Sequence, residues 1–169
     1  MPSFIDLHTH LRDPGLTHKE DLESGQKAAL KGGFTVLCPM ANTKPVCDNP
    51  EVINYIINKA ENLDLCDIKQ VCSITKNLEG DEMIDIKSMI EHTRLFSDDG
   101  YTLHNTEIMR DALKLSKELN FKVLTHCQPE FEIVERDLKL LEEVGGNLHI
   151  CHISLKETLD EIKKYKDRG

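Results

Sequence analysis

The chain has 169 residues, 39% of them hydrophobic and 30% charged, with a formal net charge of −9. That length fits one domain with a sizeable core, and 9 glycines and 6 prolines are too few to suggest disorder. The acidic balance and the lack of a Lys/Arg cluster exclude an ordinary nucleic-acid binder, and no apolar run approaches the ~20 residues of a membrane span.

No basic segment precedes an apolar one at the N-terminus, so no secretion signal is visible and a cytoplasmic location is expected. Six cysteines, Cys38, Cys47, Cys66, Cys72, Cys127 and Cys151, form no CxxC pair and sit mostly in apolar runs. They read as free thiols in a reducing compartment.

In chain order, "SFIDLHTH" reads as a strand. Thr17-x-x-Glu20 has the pattern of a capping box and predicts a helix through about Lys31, stopped by Gly32-Gly33. "FTVLCPMA" is the next strand. Asn49-Pro50 is an N-cap followed by proline at the first helical position. Val52, Ile53, Ile56, Ile57 and Ala60 then share one helical face. "IKQVCSIT" is a third strand, followed by a short helix marked by Met83, Ile84, Met89 and Ile90. "TRLFSDDG" is a fourth strand, and Ile108, Met109, Ala112, Leu113 and Leu119 mark a helix ending near Asn120. "FKVLTHC" is a fifth strand. Its helix carries Phe131, Val134, Leu138, Leu141 and Val144 and stops at Gly145-Gly146. "LHICHI" is a sixth strand, and Ser154-x-x-Glu157 is a second capping-box pattern before a helix to about Lys166.

Six successive strand–helix units imply a parallel α/β sheet, either doubly wound or a (β/α)₈ TIM barrel. Neither GxGxxG nor GxxxxGK[ST] is present, so no dinucleotide or P-loop phosphate site is signalled.

The polar residues with chemical potential gather at strand C-terminal ends, the rim where α/β folds build sites: His8 and His10, Asn42, Asp98-Asp99, His126 and His152. Side chains two apart on a strand project together, so His8 and His10 can serve one ion. His149 and His152 are three apart and face opposite ways. His152, nearer the rim, is the better candidate, and His149 is expected to pack against helices. Asp98 and Asp99 also face opposite ways, so one should ligate, and geometry alone does not choose between them. Four imidazoles and a carboxylate suit zinc, and less often iron or manganese. His18, His92 and His104 read as solvated.

These motifs resemble the type I dihydroorotases of the amidohydrolase superfamily. "DLHTHLRDPG" is similar to that family's first-strand signature, "KGGFTVLCPMANTKPV" to its second strand, and "FSDDG", "LTHC" and "HICHISLKET" to strands four to six. The resemblance implies a (β/α)₈ barrel of the metal-dependent hydrolase type, represented here by about six units in one partial domain, 1–169. It implies that His8 and His10 bind one metal, His126 and His152 a second, and that Asp99 takes the bridging position. Hydantoinases and allantoinases, the nearest alternatives, use a carboxylated lysine there. Arg12 and Asn42 would hold a substrate carboxylate, one or two zinc ions would be the cofactor, and the segment "HCQPEFEIVERDL" would be a short form of a longer family loop.

The implied reaction is the reversible cyclisation of N-carbamoyl-L-aspartate to L-dihydroorotate in pyrimidine (UMP) biosynthesis. The resemblance also implies a small N-terminal β-sandwich and two further strands. The last of these would bear the proton-shuttling aspartate, so no catalytic residue of that kind is expected within these 169 residues. A catalytically inactive fragment, or a structural partner of aspartate transcarbamoylase, is the competing expectation. A homodimer or an association with that enzyme is the expected assembly. Non-catalytic relatives usually lose the metal histidines, and here all four are present.

Overall fold

The computed structural model describes residues 3–168. The chain alternates strand and helix throughout: β1 (Phe4–Thr9), α1 (Leu22–Lys31), β2 (Phe34–Pro39), α2 (Pro50–Leu63), β3 (Asp67–Ile68), α3 (Ile86–Met89), β4 (Leu95–Phe96), α4 (Thr106–Leu119), β5 (Lys122–Thr125), α5 (Glu130–Val144), β6 (Leu148–Ile150) and α6 (Lys156–Lys166). All strand pairs are parallel, in two ladders ordered β1-β2-β3 and β4-β5-β6. A single bridge between Cys72 and Phe96 joins the ladders. The architecture is the expected arc of a (β/α) barrel, with helices outside and strand C-termini along one rim.

The third strand is shorter than its apolar run suggests because it changes partner. Lys69 and Val71 donate to Leu37 and Pro39 of the β2 side, and Cys72 then donates to Leu95 and accepts from Ser97. The short helix also begins later than its apolar residues. Met83 is used in a bridge to Thr75, and Asp85 caps the turn that starts at Ile86.

Two of the three predicted N-caps are replaced. Asn49 caps α2 as expected, accepting from the Val52 amide at 3.1 Å. Residues 12–19 turn back on themselves through Leu16→Arg12 and Lys19→Leu16 bonds, so Thr17 cannot open α1. Asp21 does so, accepting from the Ser24 amide at 2.7 Å. At α6, Ser154 is engaged elsewhere. Glu130 of α5 accepts from the Ser154 amide and hydroxyl and from the Leu155 amide at 2.7–2.9 Å. The two backbone amides that lead into α6 are therefore satisfied from a neighbouring helix. Burial opposes ionisation of Glu130, but those bonds bring its carboxyl down to about 2.

The main core lies between strands and helices. Phe96 and Phe121 meet edge to face with centroids 4.8 Å apart, and both are buried. Ile53, Ile56, Met89, Met109 and Leu113 pack in the same cluster. On β1, by contrast, Phe4, Ile5 and Leu7 are exposed, and β1 and β6 have no ladder partner on their outer sides among the described residues. No helix among those residues is long and apolar enough to cross a membrane.

Candidate metal centre

The sequence-predicted residues converge at one point on the rim. His8 and His10 leave β1 on the same side, their ring centroids 5.1 Å apart. His126 directly follows β5, and His152 stands two residues beyond β6. His152 has φ of 33°, and Arg12, on the loop after β1, has φ of 58°. Non-glycine residues reach this left-handed region at a cost of about 1–2 kcal/mol, and such strain clusters at functional sites.

Asp99 occupies the middle. Its side chain is 2% exposed. Oδ2 lies 3.3 Å from His8 Nε2 and 3.4 Å from His10 Nε2. Oδ1 lies 3.0 Å from His152 Nε2 and 3.4 Å from His126 Nδ1. His126 Nδ1 and His152 Nε2 are 3.2 Å apart. Two ligand triads result, His8–His10–Asp99 and Asp99–His126–His152.

These spacings fit a metal. Zinc–ligand bonds of 2.0–2.1 Å in tetrahedral geometry put neighbouring donors about 3.3 Å apart. The donor chemistry agrees, since neutral imidazoles and an ionised carboxylate are the ligating forms. Burial pulls the His10 pKa down, outweighing the upward pull of Asn42 and Asp99, and so favours the neutral ring. Burial pushes the Asp99 carboxyl up, but hydrogen bonds from His8 and His152 and the charges of His8 and His10 hold it well below the usual range.

The adjacent acid does different work. Asp98 is buried and accepts from the Ile74 amide at 2.7 Å, the Thr75 amide at 3.0 Å and the Thr75 hydroxyl at 2.5 Å. It ties the end of β4 to the segment after β3. Nothing in the sequence marks Thr75 as its partner.

Asn42 lies between the triads and a cavity. The cavity, about 830 Å³, is lined by Arg12, Lys19, Asn42, Thr43, Lys44 and Tyr101. That size suits a small molecule, and the lining is cationic. His149 points elsewhere, lining a groove with Leu138, Leu141, Ile162 and Tyr165. His18 and His104 are exposed and His92 half-buried, all away from both triads.

Comparison with known proteins supplies the family. A Dihydro-orotase-like family model matches residues 1–132. A dihydroorotase of Clostridium botulinum (strain Eklund 17B / Type B) is 46% identical, covering 100% of this chain and 46% of the relative. Among solved structures, an L-hydantoinase from Arthrobacter aurescens superposes with a TM-score of 0.82 at 18% identity, over 100% of this chain and 45% of that one. A dihydroorotase from Campylobacter jejuni gives a TM-score of 0.72 at 18% identity, over 98% of this chain and 52% of that one. At such identities the two structures establish the fold alone. The chain spans about half the length of the curated relatives it matches.

Proposed function

The chain belongs to the dihydro-orotase-like family, and from that premise we propose that it carries the metal centre and substrate clamp of a dihydroorotase. The reaction is the reversible, metal-dependent cyclisation of N-carbamoyl-L-aspartate to L-dihydroorotate in pyrimidine biosynthesis. One observation carries this reading: the two oxygens of Asp99 each face a separate histidine pair at 3.0–3.4 Å.

His8 and His10 would hold one ion, His126 and His152 a second, with Asp99 between them. Zinc is the ion assigned, because nitrogen-rich sets with one carboxylate suit it. The chemistry a bound zinc supplies is polarisation of an amide carbonyl and acidification of water toward a pKa of about 7.

The chain's own residues bind and orient. Arg12 would pair the substrate carboxylate, since its planar fork matches both oxygens. Asn42, lining the same cavity, would assist it. Lys19 and Lys44 add positive potential for a dianionic substrate. A ligand carboxylate is what separates dihydroorotate from hydantoin and allantoin, which lack one. The bridging place held by Asp99 rather than a lysine points the same way. The six free thiols fit a cytoplasmic setting.

The test has two arms on the full chain. Metal analysis should find zinc that is lost in the His8→Ala/His10→Ala double variant. Calorimetry with the zinc-loaded chain should show binding of dihydroorotate but not of hydantoin, and Arg12→Ala should abolish it. Equal binding of the two ligands, or retention of zinc by the double variant, would overturn the proposal.

A further inference from the structure

We propose that Asn42 is a positioning residue of the metal centre, its side-chain amide locking His10 and Asp99 into one arrangement. This rests on the metal-centre reading and gives Asn42 a task beyond the substrate carboxylate. Asn42 Nδ2 donates to the Asp99 backbone carbonyl at 3.1 Å. A carbonyl can only accept, so this bond fixes which way the amide points. Oδ1 is thereby turned to His10 and stands 3.1 Å from Nδ1. Since Oδ1 can only accept, His10 must carry its hydrogen on Nδ1. Its Nε2 then keeps the lone pair that a metal ion would take, on the side of Asp99 Oδ2, 3.4 Å away. A hydrogen bond to the remote nitrogen of a ligating histidine sets both tautomer and ring orientation.

Asn42 follows β2, His10 follows β1 and Asp99 follows β4. The amide therefore connects groups from the two separate ladders, adding to the Cys72–Phe96 bridge and to the Asp98 bonds with Ile74 and Thr75. Its own backbone is held on both sides. Ala41 and Thr43 are buried, and the Ala41 carbonyl accepts from the Thr43 amide at 2.8 Å and the Cys47 amide at 3.0 Å.

Gly100 is the second, independent sign. Its φ is +96°, and a Cβ there would lie 2.8 Å from Asn42 Nδ2. The glycine that ends "FSDDG" thus leaves the space in which the amide reaches the Asp99 carbonyl. One N–H of Asn42 remains for a ligand, so orientation of the metal residues and contact with substrate can share one side chain.

The experiment uses the full chain in two measurements. Imidazole ¹⁵N spectra of the zinc-loaded wild type should show His10 carrying its hydrogen on Nδ1. Zinc competition against a chromophoric chelator should show one of two ions bound about 10–100-fold more weakly by Asn42→Ala, the range for loss of such a partner. A His10 without a hydrogen on Nδ1 in the zinc-loaded wild type overturns the proposal without recourse to any variant. So does a folded Asn42→Ala chain with wild-type zinc affinity at both ions. A wild type that binds no zinc removes the metal-centre reading itself and this role with it. A wild type that binds zinc beside an unaffected Asn42→Ala removes only the role of Asn42.

Discussion

Asp98 and Asp99 are consecutive in sequence and turn their carboxylates to opposite sides of the same turn. Asp98 receives three hydrogen bonds from Ile74 and Thr75, and Asp99 faces four imidazoles. One acid fixes the backbone, and the other is thereby carried to the middle of the site. Burial raises the Asp98 carboxyl pKa, against the pull of its bonds to Thr75 and Ile74, whereas that of Asp99 is lowered.

Because Asp99 belongs to both triads, it should matter to both ions. Asp99→Ala is expected to lose both, while His126→Ala loses one and keeps the ion at His8 and His10. Elemental analysis of the purified variants reads this directly. An Asp99→Ala chain with full metal content contradicts the shared-ligand geometry.

Gly15 has φ of +85°, and a Cβ there would overlap the backbone carbonyl of Lys44. The Lys44 amide in turn donates to Pro14 at 3.0 Å, so the two loops that flank the cationic cavity are pressed together. Backbone cannot yield as a side-chain tip can. Gly15→Ala should destabilise the chain by about 3 kcal/mol, readable as a lowered denaturation midpoint at constant slope. An unchanged midpoint would show that the loops separate easily.

Asp137 gives a pH dependence of known sign. Burial raises its carboxyl to about 6, against the downward pull of Arg136, which donates to it at 2.7 and 2.9 Å. A folded pKa above the unfolded value of 3.8 means that its contribution to stability is fully present below that value. It is lost as pH rises through about 6. Asp137→Asn should therefore gain on the wild type between pH 4 and 6, by on the order of 3 kcal/mol at the upper end. Melting curves of both proteins across that range check it, and parallel pH profiles would refute it.

The thiols should be quiet in the native state. Burial pushes Cys38 up to about 11, and Cys127 and Cys151 to about 12. The Cys47 thiol rises well above its ordinary value because of its hydrogen bond to Cys72, 3.5 Å away, and burial adds to this. Cys66 alone is half-buried. Titration with a thiol reagent at pH 8 should modify Cys66 first, and the other five only on unfolding. Prompt reaction of several thiols would mean that the core opens readily.

Much of the rim was legible in the sequence because it depends on local rules. Period two places His8 with His10, and strand ends locate Asn42, His126 and His152. What stayed hidden depends on partners distant in sequence. Glu130 displaces Ser154 from capping α6 because α5 packs beside it, and no pattern around Ser154 could reveal that. The choice between Asp98 and Asp99 needed the position of Thr75. The third strand's short ladder follows from its change of partner at Cys72, which apolar content does not encode.

His8 and His152 stand with ring centroids 5.1 Å apart, yet they belong to β1 and to the segment after β6, which share no ladder among the described residues. In folding terms their meeting is a contact of long sequence separation, whose loop-closure cost leads us to expect that it forms late. An interaction made that late belongs to the native state more than to the transition state. An ion bound there is expected to slow unfolding while leaving the folding rate nearly unchanged, so that its occupancy sets the lifetime of the folded chain.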